Sequence, residues 1–180
     1  MTVAIIGAGP LGRRLALDAA RAGFRVMLED VMPASLRHAE EALREALGPE
    51  AMPLVSFART VEEAVREADL AIDCVPDELE SKLEIFSLLD RMAPPRTVFA
   101  TPTTNLSIAD LASCTYRPDR CAAISREAST LADGGSSEIL LHTTSKTSAA
   151  TVDLLTRFWI GLGFKPAFAL DPSEMTSTEP

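Results

Sequence analysis

The run Gly7-Ala8-Gly9-Pro10-Leu11-Gly12 follows directly on four apolar residues, Val3-Ala4-Ile5-Ile6, and opens a helical pattern. A GxGxxG run placed between a strand and a helix reads as the first turn of a dinucleotide-binding β-α-β unit. Gly7 permits the tight turn, Gly9 lets backbone approach a pyrophosphate, and Gly12 lets helix and strand pack closely. The helix start adds free N–H groups and partial positive charge, so Gly7, Ala8, Gly9, Pro10, Leu11 and Gly12 are the expected phosphate cradle. Asp30 ends the second apolar run at the spacing of roughly 20 residues that the fingerprint requires, where a carboxylate accepts from the adenosine ribose hydroxyls. Such a carboxylate repels a 2′-phosphate, and no Arg or Lys follows it directly. NAD is therefore the expected cofactor, ahead of NADP. A flavin dinucleotide uses a similar loop, but the chain is short for a flavoenzyme.

Beyond the loop, apolar runs alternate with helical patterns almost to the end, as in a parallel sheet covered by helices. Strands are expected at residues 3–6, 25–29, 54–57, 70–75, 97–100, 121–124, 138–142 and 165–170. Helices are expected at about 11–22, 33–47, 60–68, 78–92, 107–112 and 147–162. Thr60 with Glu63 reads as a capping box, and Thr147 or Ser148 as the cap of the last helix. Asp133-Gly134-Gly135 reads as a turn. The predicted fold is α/β: a Rossmann doubly wound, mostly parallel sheet with helices on both faces and two extra C-terminal strands. It forms one domain over residues 1–170, followed by a flexible tail at 171–180.

Charge narrows the partners. A net charge of −9 argues against nucleic acid, whose binding rests on clustered Lys and Arg. No apolar run approaches the roughly 18–20 residues of a membrane span, and no basic segment precedes the first apolar run as in a signal peptide. The expected location is cytoplasmic, with no membrane partner. Cys74, Cys114 and Cys121 form no CxxC pair and read as free thiols, and His38 and His142 lie too far apart in sequence for a histidine metal cluster; no metal is expected.

Several further motifs give the chain a family likeness. Val3-Ala4-Ile5-Ile6-Gly7-Ala8-Gly9, Asp30, Val75-Pro76-Asp77-Glu78-Leu79-Glu80-Ser81-Lys82 and Asp90-Arg91-Met92-Ala93-Pro94-Pro95 occur in order. Thr101-Pro102-Thr103-Thr104-Asn105-Leu106-Ser107-Ile108 and Arg117-Pro118-Asp119-Arg120 continue the series. Together they resemble the N-terminal NAD-binding domain of the L-3-hydroxyacyl-CoA dehydrogenases. The resemblance implies hydride transfer between NAD and a 3-hydroxyacyl thioester, in fatty acid metabolism. It implies that Asp77, shortened from the usual glutamate, and Lys82 line the nicotinamide-ribose side. Thr104 takes the place of the hydroxyl that meets substrate and nicotinamide, while the usual neighbouring asparagine is Pro102.

The catalytic turn departs from the family pattern. The family places a proton-accepting histidine after strand six, oriented by a glutamate on the next strand. Here the histidine position is Ser125, and Glu138 matches the glutamate with one residue inserted. An unassisted serine hydroxyl is no base at pH 7. Glu127 is the nearest other acid, and His142 falls on a position without a family role. The family also continues into a helical domain that completes the acyl-CoA pocket and makes the dimer, whereas this sequence stops at Pro180. A homo-oligomer or a partner subunit is accordingly expected. Two functions remain in competition: an NAD-dependent oxidoreductase with Thr104 and an incomplete standard dyad (Ser125 and Glu138) as catalytic candidates, and a catalytically inactive NAD(H)-binding module acting as a sensor or a subunit of a complex. A relic that binds no nucleotide is a third.

Overall fold

The computed structural model describes residues 1–125 and 138–175. Eight strands, β1 (Thr2–Ile6), β2 (Arg25–Glu29), β3 (Val55–Ala58), β4 (Leu70–Asp73), β5 (Val98–Thr103), β6 (Cys121–Ser125), β7 (Glu138–Thr143) and β8 (Lys165–Leu170), form one sheet in the order β3-β2-β1-β4-β5-β6-β7-β8. Every neighbouring pair is parallel except β6 and β7. Helices α1 (Pro10–Arg21), α2 (Pro33–Ala46), α3 (Val61–Val65), α4 (Leu79–Met92), α5 (Ile108–Ser113), α6 (Ala149–Gly161) and α7 (Pro172–Met175), with two 3-10 turns at Met52–Leu54 and Pro118–Arg120, complete the described elements. This is the Rossmann arrangement expected from the alternating pattern. The strand order reverses between β1 and β4, and a crevice opens there above the strand ends.

Burial on both faces explains why the strands read as unbroken apolar runs. Along β1, Val3 and Ile5 enter a core with Leu15, Leu28, Ile72 and Trp159. Ala4 and Ile6 enter the opposite core with Val65, Ala71, Phe86 and Phe99. Strand alternation thus sends each residue to one of two helix layers.

Boundaries moved where tertiary structure outweighed local pattern. β4 stops at Asp73 because the chain turns there, with Asp73 Oδ1 accepting from Val75 N at 3.0 Å. β5 runs on to Thr103, through Pro102. Its pairing with β4 ends at Ala100, so one edge is open where a residue without an N–H can sit. α3 is capped by Thr60, whose Oγ1 accepts from Glu63 N at 3.2 Å, but ends at Val65 rather than 68. Ser148, not Thr147, caps α6. The segment expected to begin a flexible tail instead opens with Asp171 at 2% exposure and the helical turn of α7. The turn at 133–135 and Glu127 lie outside the described residues. Among those described, no helix is long and apolar enough to cross a membrane.

Candidate functional site

The loop joining β1 to α1 has the geometry its glycines imply. Gly7 sits at φ +105°, a conformation open to glycine, and its N–H donates to Glu29 O at 2.8 Å. A Cβ on Gly12 would lie 1.9 Å from the Gly7 carbonyl oxygen, so the helix start can pack on the loop only without a side chain. A Cβ on Gly9 would meet nothing within 4 Å. Backbone therefore faces open space at Gly9, where the glycine pattern leads one to expect a pyrophosphate. Pro10, at the first helical position, has no N–H to leave unsatisfied and a φ already suited to the helix.

Asp30 is bound to the same loop. Its Oδ2 accepts from Ala8 N at 2.9 Å and its Oδ1 from Met32 N at 2.8 Å. Each oxygen keeps a lone pair for a ribose hydroxyl. A cavity of about 790 Å³ extends from Gly7, Gly9 and Leu11 past Asp30 and Val31 to Val75, Asp77 and Ile85 of the β4–α4 side. It lies where the strand order reverses, and its size suits a cofactor.

Glu29, which sequence reading passed over, lines the same cavity. It is 2% exposed, and its Oε1 has no hydrogen-bond partner among the described residues. Burial, and then the neighbouring Asp30 charge, push its carboxyl up to about 7. The signal in the sequence was positional: in a buried strand an acid beside Leu28 must face the opposite core.

The two residues expected on the nicotinamide-ribose side part company. Asp77 lines the cavity, and its Oδ2 accepts from Thr104 N at 2.9 Å, tying the loop after β4 to the loop after β5. Lys82 is placed elsewhere, with no exposure at all. Its Nζ donates to Thr101 Oγ1 at 2.9 Å, to Asp73 Oδ2 at 3.2 Å and to Val75 O at 3.5 Å. Thr101 in turn donates to Asp73 Oδ2 at 3.0 Å. All three ammonium protons thus have acceptors inside the protein, and Lys82 supports the strand ends from beneath rather than facing the cofactor cavity. Burial pushes the Asp73 carboxyl up, and Lys82 opposes it.

Thr104 and Ser125 share a second, smaller cavity of about 170 Å³ at the ends of β5 and β6. Thr103 pairs with Ser125 across the two strands, which brings Thr104 alongside. Glu138 does not line this cavity; it begins β7 and is exposed. His142 does line it. Its imidazole faces the site because β7 runs antiparallel to β6 with His142 opposite Ala123, a register no sequence motif discloses. Asp171 closes the far wall. Its Oδ2 accepts from the N–H groups of Ile108 and Ala109 at the start of α5, and its Oδ1 from Ser173 N at 2.9 Å.

Other family-like motifs turn out to hold the scaffold. Arg117 donates to Asp90 Oδ1 at 2.8 Å, Asp90 O at 2.8 Å and Pro94 O at 2.6 Å, with its guanidinium 5.0 Å from the centre of the Phe99 ring. These contacts fix the end of α4 and explain the run Asp90–Pro95 without any chemistry.

The sequence profile described as "3-hydroxyacyl-CoA dehydrogenase, NAD binding domain" matches residues 2–125. A probable 3-hydroxybutyryl-CoA dehydrogenase of Bacillus subtilis is 33% identical over 131 residues, covering 66% of this chain and 45% of the relative. The mitochondrial hydroxyacyl-coenzyme A dehydrogenase of Sus scrofa is 32% identical over 140 residues, covering 68% and 45% respectively. The chain thus spans about half the length of the curated relatives it matches. Among solved structures, (S)-3-hydroxybutyryl-CoA dehydrogenase from Ralstonia eutropha superposes with a TM-score of 0.84 at 21% identity, over 94% of this chain and 63% of that one, a likeness of fold.

Proposed function

Because the chain belongs to the 3-hydroxyacyl-CoA dehydrogenase family through its NAD-binding domain, we propose that it is an NAD-dependent oxidoreductase acting on a 3-hydroxyacyl-type thioester, with Ser125 at the position of the family's histidine. The observation that carries this reading is the hydrogen bond from Thr104 N to Asp77, which joins a wall of the larger cavity to the Thr104 end of the smaller one.

The residues fit NAD. The open backbone at Gly9 and the start of α1 receive the pyrophosphate, and Asp30 takes the ribose hydroxyls while repelling a 2′-phosphate. Val31, 74% exposed beside Asp30, offers the adenine an apolar wall. When bound, NAD supplies the hydride acceptor. Asp77 holds the backbone of Thr104 in place, so that the Thr104 hydroxyl and the Ser125 hydroxyl can hold the substrate oxygen.

Spectrophotometric assay of NADH formation across a panel of 3-hydroxyacyl thioesters tests the reading, beside calorimetry with NAD. Turnover is expected. Tight NAD binding without turnover on any thioester would instead establish the second reading, an inactive NAD(H)-binding module serving as a sensor or a subunit. The specific observation that favours that alternative is Ser125, which leaves β6 without a base.

A further inference from the structure

β6 has no imidazole, but its neighbour does. His142 stands opposite Ala123 and Leu141 opposite Ile124 in the antiparallel pair. Ser125 lies two residues past Ala123, so its side chain shares a face with Ala123 and with His142. The diagonal between such positions is roughly 7–8 Å, within reach of an aromatic side chain. Thr104, Ser125 and His142 line the same cavity. Nδ1 of His142 is buried and has no hydrogen-bond partner among the described residues. Buried polar atoms nearly always have partners, so a ring nitrogen left unengaged beside two hydroxyls calls for a role.

We propose that His142 is the proton acceptor of this site, receiving the proton of the substrate hydroxyl by way of the Ser125 hydroxyl and so replacing a histidine on β6 with one on β7. The proposal rests on the dehydrogenase reading above. In the oxidation, the C3–H bond of the 3-hydroxyacyl thioester breaks and its hydrogen leaves with both electrons to oxidised NAD. The substrate O–H bond breaks and its proton passes to the Ser125 oxygen as the Ser125 proton passes to the imidazole. A C3=O double bond forms, and the products are the 3-ketoacyl thioester, NADH and an imidazolium that later gives its proton to water. Imidazole suits this work because it exchanges protons near neutral pH.

The charged groups around His142 are few among the described residues. Ala123 and Ala169 are its partners on the flanking strands β6 and β8. Among the described residues, Asp171 is the other titratable side chain lining the cavity. Burial acts to raise its carboxyl, but hydrogen bonds from Ser173 and from the Ala109 and Ile108 amides hold it below the usual range, so it is an anion near neutral pH. On α5, Asp110 is exposed, and Glu138 is exposed at the start of β7.

The chain contains two histidines, and His38 is exposed on α2, so the imidazole NMR signals of the whole protein can be assigned with a single H38N variant. Titration through pH, with and without NAD and acetoacetyl-CoA together, is expected to move the His142 signal and shift its midpoint by about half a pH unit or more, with His38 unmoved. His142→Asn is expected to lower kcat for acetoacetyl-CoA reduction by NADH by about a hundredfold or more, with little change in KM, and to remove the inflection of the rate near neutral pH. A His142 signal indifferent to the ternary complex overturns its role, as does an H142N protein with wild-type kcat and pH profile; both leave the dehydrogenase reading standing. Unaltered protein that binds NAD but turns over no thioester overturns that reading and the role of His142 with it.

Discussion

A methyl group added at Gly12 and one added at Gly9 meet opposite surroundings, and the difference separates folding from binding. At Gly12 the added carbon collides with the Gly7 carbonyl, 1.9 Å away, and backbone cannot yield there cheaply. At Gly9 it enters open space from an ordinary backbone conformation, φ −67° and ψ −176°. Gly12→Ala is expected to destabilise the protein by about 3 kcal/mol or more in urea unfolding. Gly9→Ala should leave the unfolding midpoint nearly unchanged and weaken NAD at least about tenfold by calorimetry. Equal effects of the two substitutions would count against the assigned roles. Glu29 gives the residue scale a pH signature. Its carboxyl titrates at about 7 in the folded protein, above the ordinary value of 4.5, so the folded state holds a proton that the unfolded chain has released. Stability attributable to Glu29 is then full at low pH, falls as pH rises from about 4.5 to 7, and levels off above. Glu29→Gln removes that fall. It should match the parent protein near pH 4 and exceed it at pH 8 by up to about 3 kcal/mol in denaturant titrations. A parent–variant difference that does not change with pH would refute this.

At the scale of elements, the Asp73–Lys82–Thr101 group joins the ends of β4 and β5 to the first turn of α4. Removing one member leaves a buried charge without its partner, which costs about 3–5 kcal/mol, whereas removing both charges together is far milder. Lys82→Met is expected to lose that amount in urea unfolding, and the D73N/K82M pair to recover most of it. A double variant no more stable than K82M would show that the pair is not what holds these ends. The same group marks the limit of what sequence discloses about elements. β2 and β8 were legible to the residue, because strand alternation and flanking turns are local signals. The tight turn from Gly7 to Gly12 beside Asp30 was legible because backbone freedom at fixed spacing is a local signal. Lys82 was not, because a lysine in the first turn of a charged helix reads as solvated until Asp73 is found beneath it. Glu138 and His142 were ranked by their place in a motif, whereas the site is set by the β6–β7 register, with His142 inside the cavity and Glu138 outside it. Asp171 was read as the start of a tail because its partners, the amides of α5, are more than sixty positions away in the chain.

For the whole molecule, one eight-stranded sheet carries, among the described residues, two neighbouring cavities along the C-terminal ends of its central strands. The larger runs from the glycine loop over Asp30 to Asp77, and the smaller holds Thr104, Ser125 and His142. The hydrogen bond from Thr104 N to Asp77 ties the wall of one to the wall of the other. Family membership supports NAD as the cofactor, and we propose the larger cavity, with Gly7, Gly9, Gly12 and Asp30, as its place. Isothermal titration of the unaltered protein with NAD and with NADP, repeated on Asp30→Ala, tests this central claim most directly. NAD is expected to bind at least about tenfold more tightly than NADP, and Asp30→Ala to abolish the preference. Absence of NAD binding, or equal affinity for the two nucleotides in the unaltered protein, would contradict it.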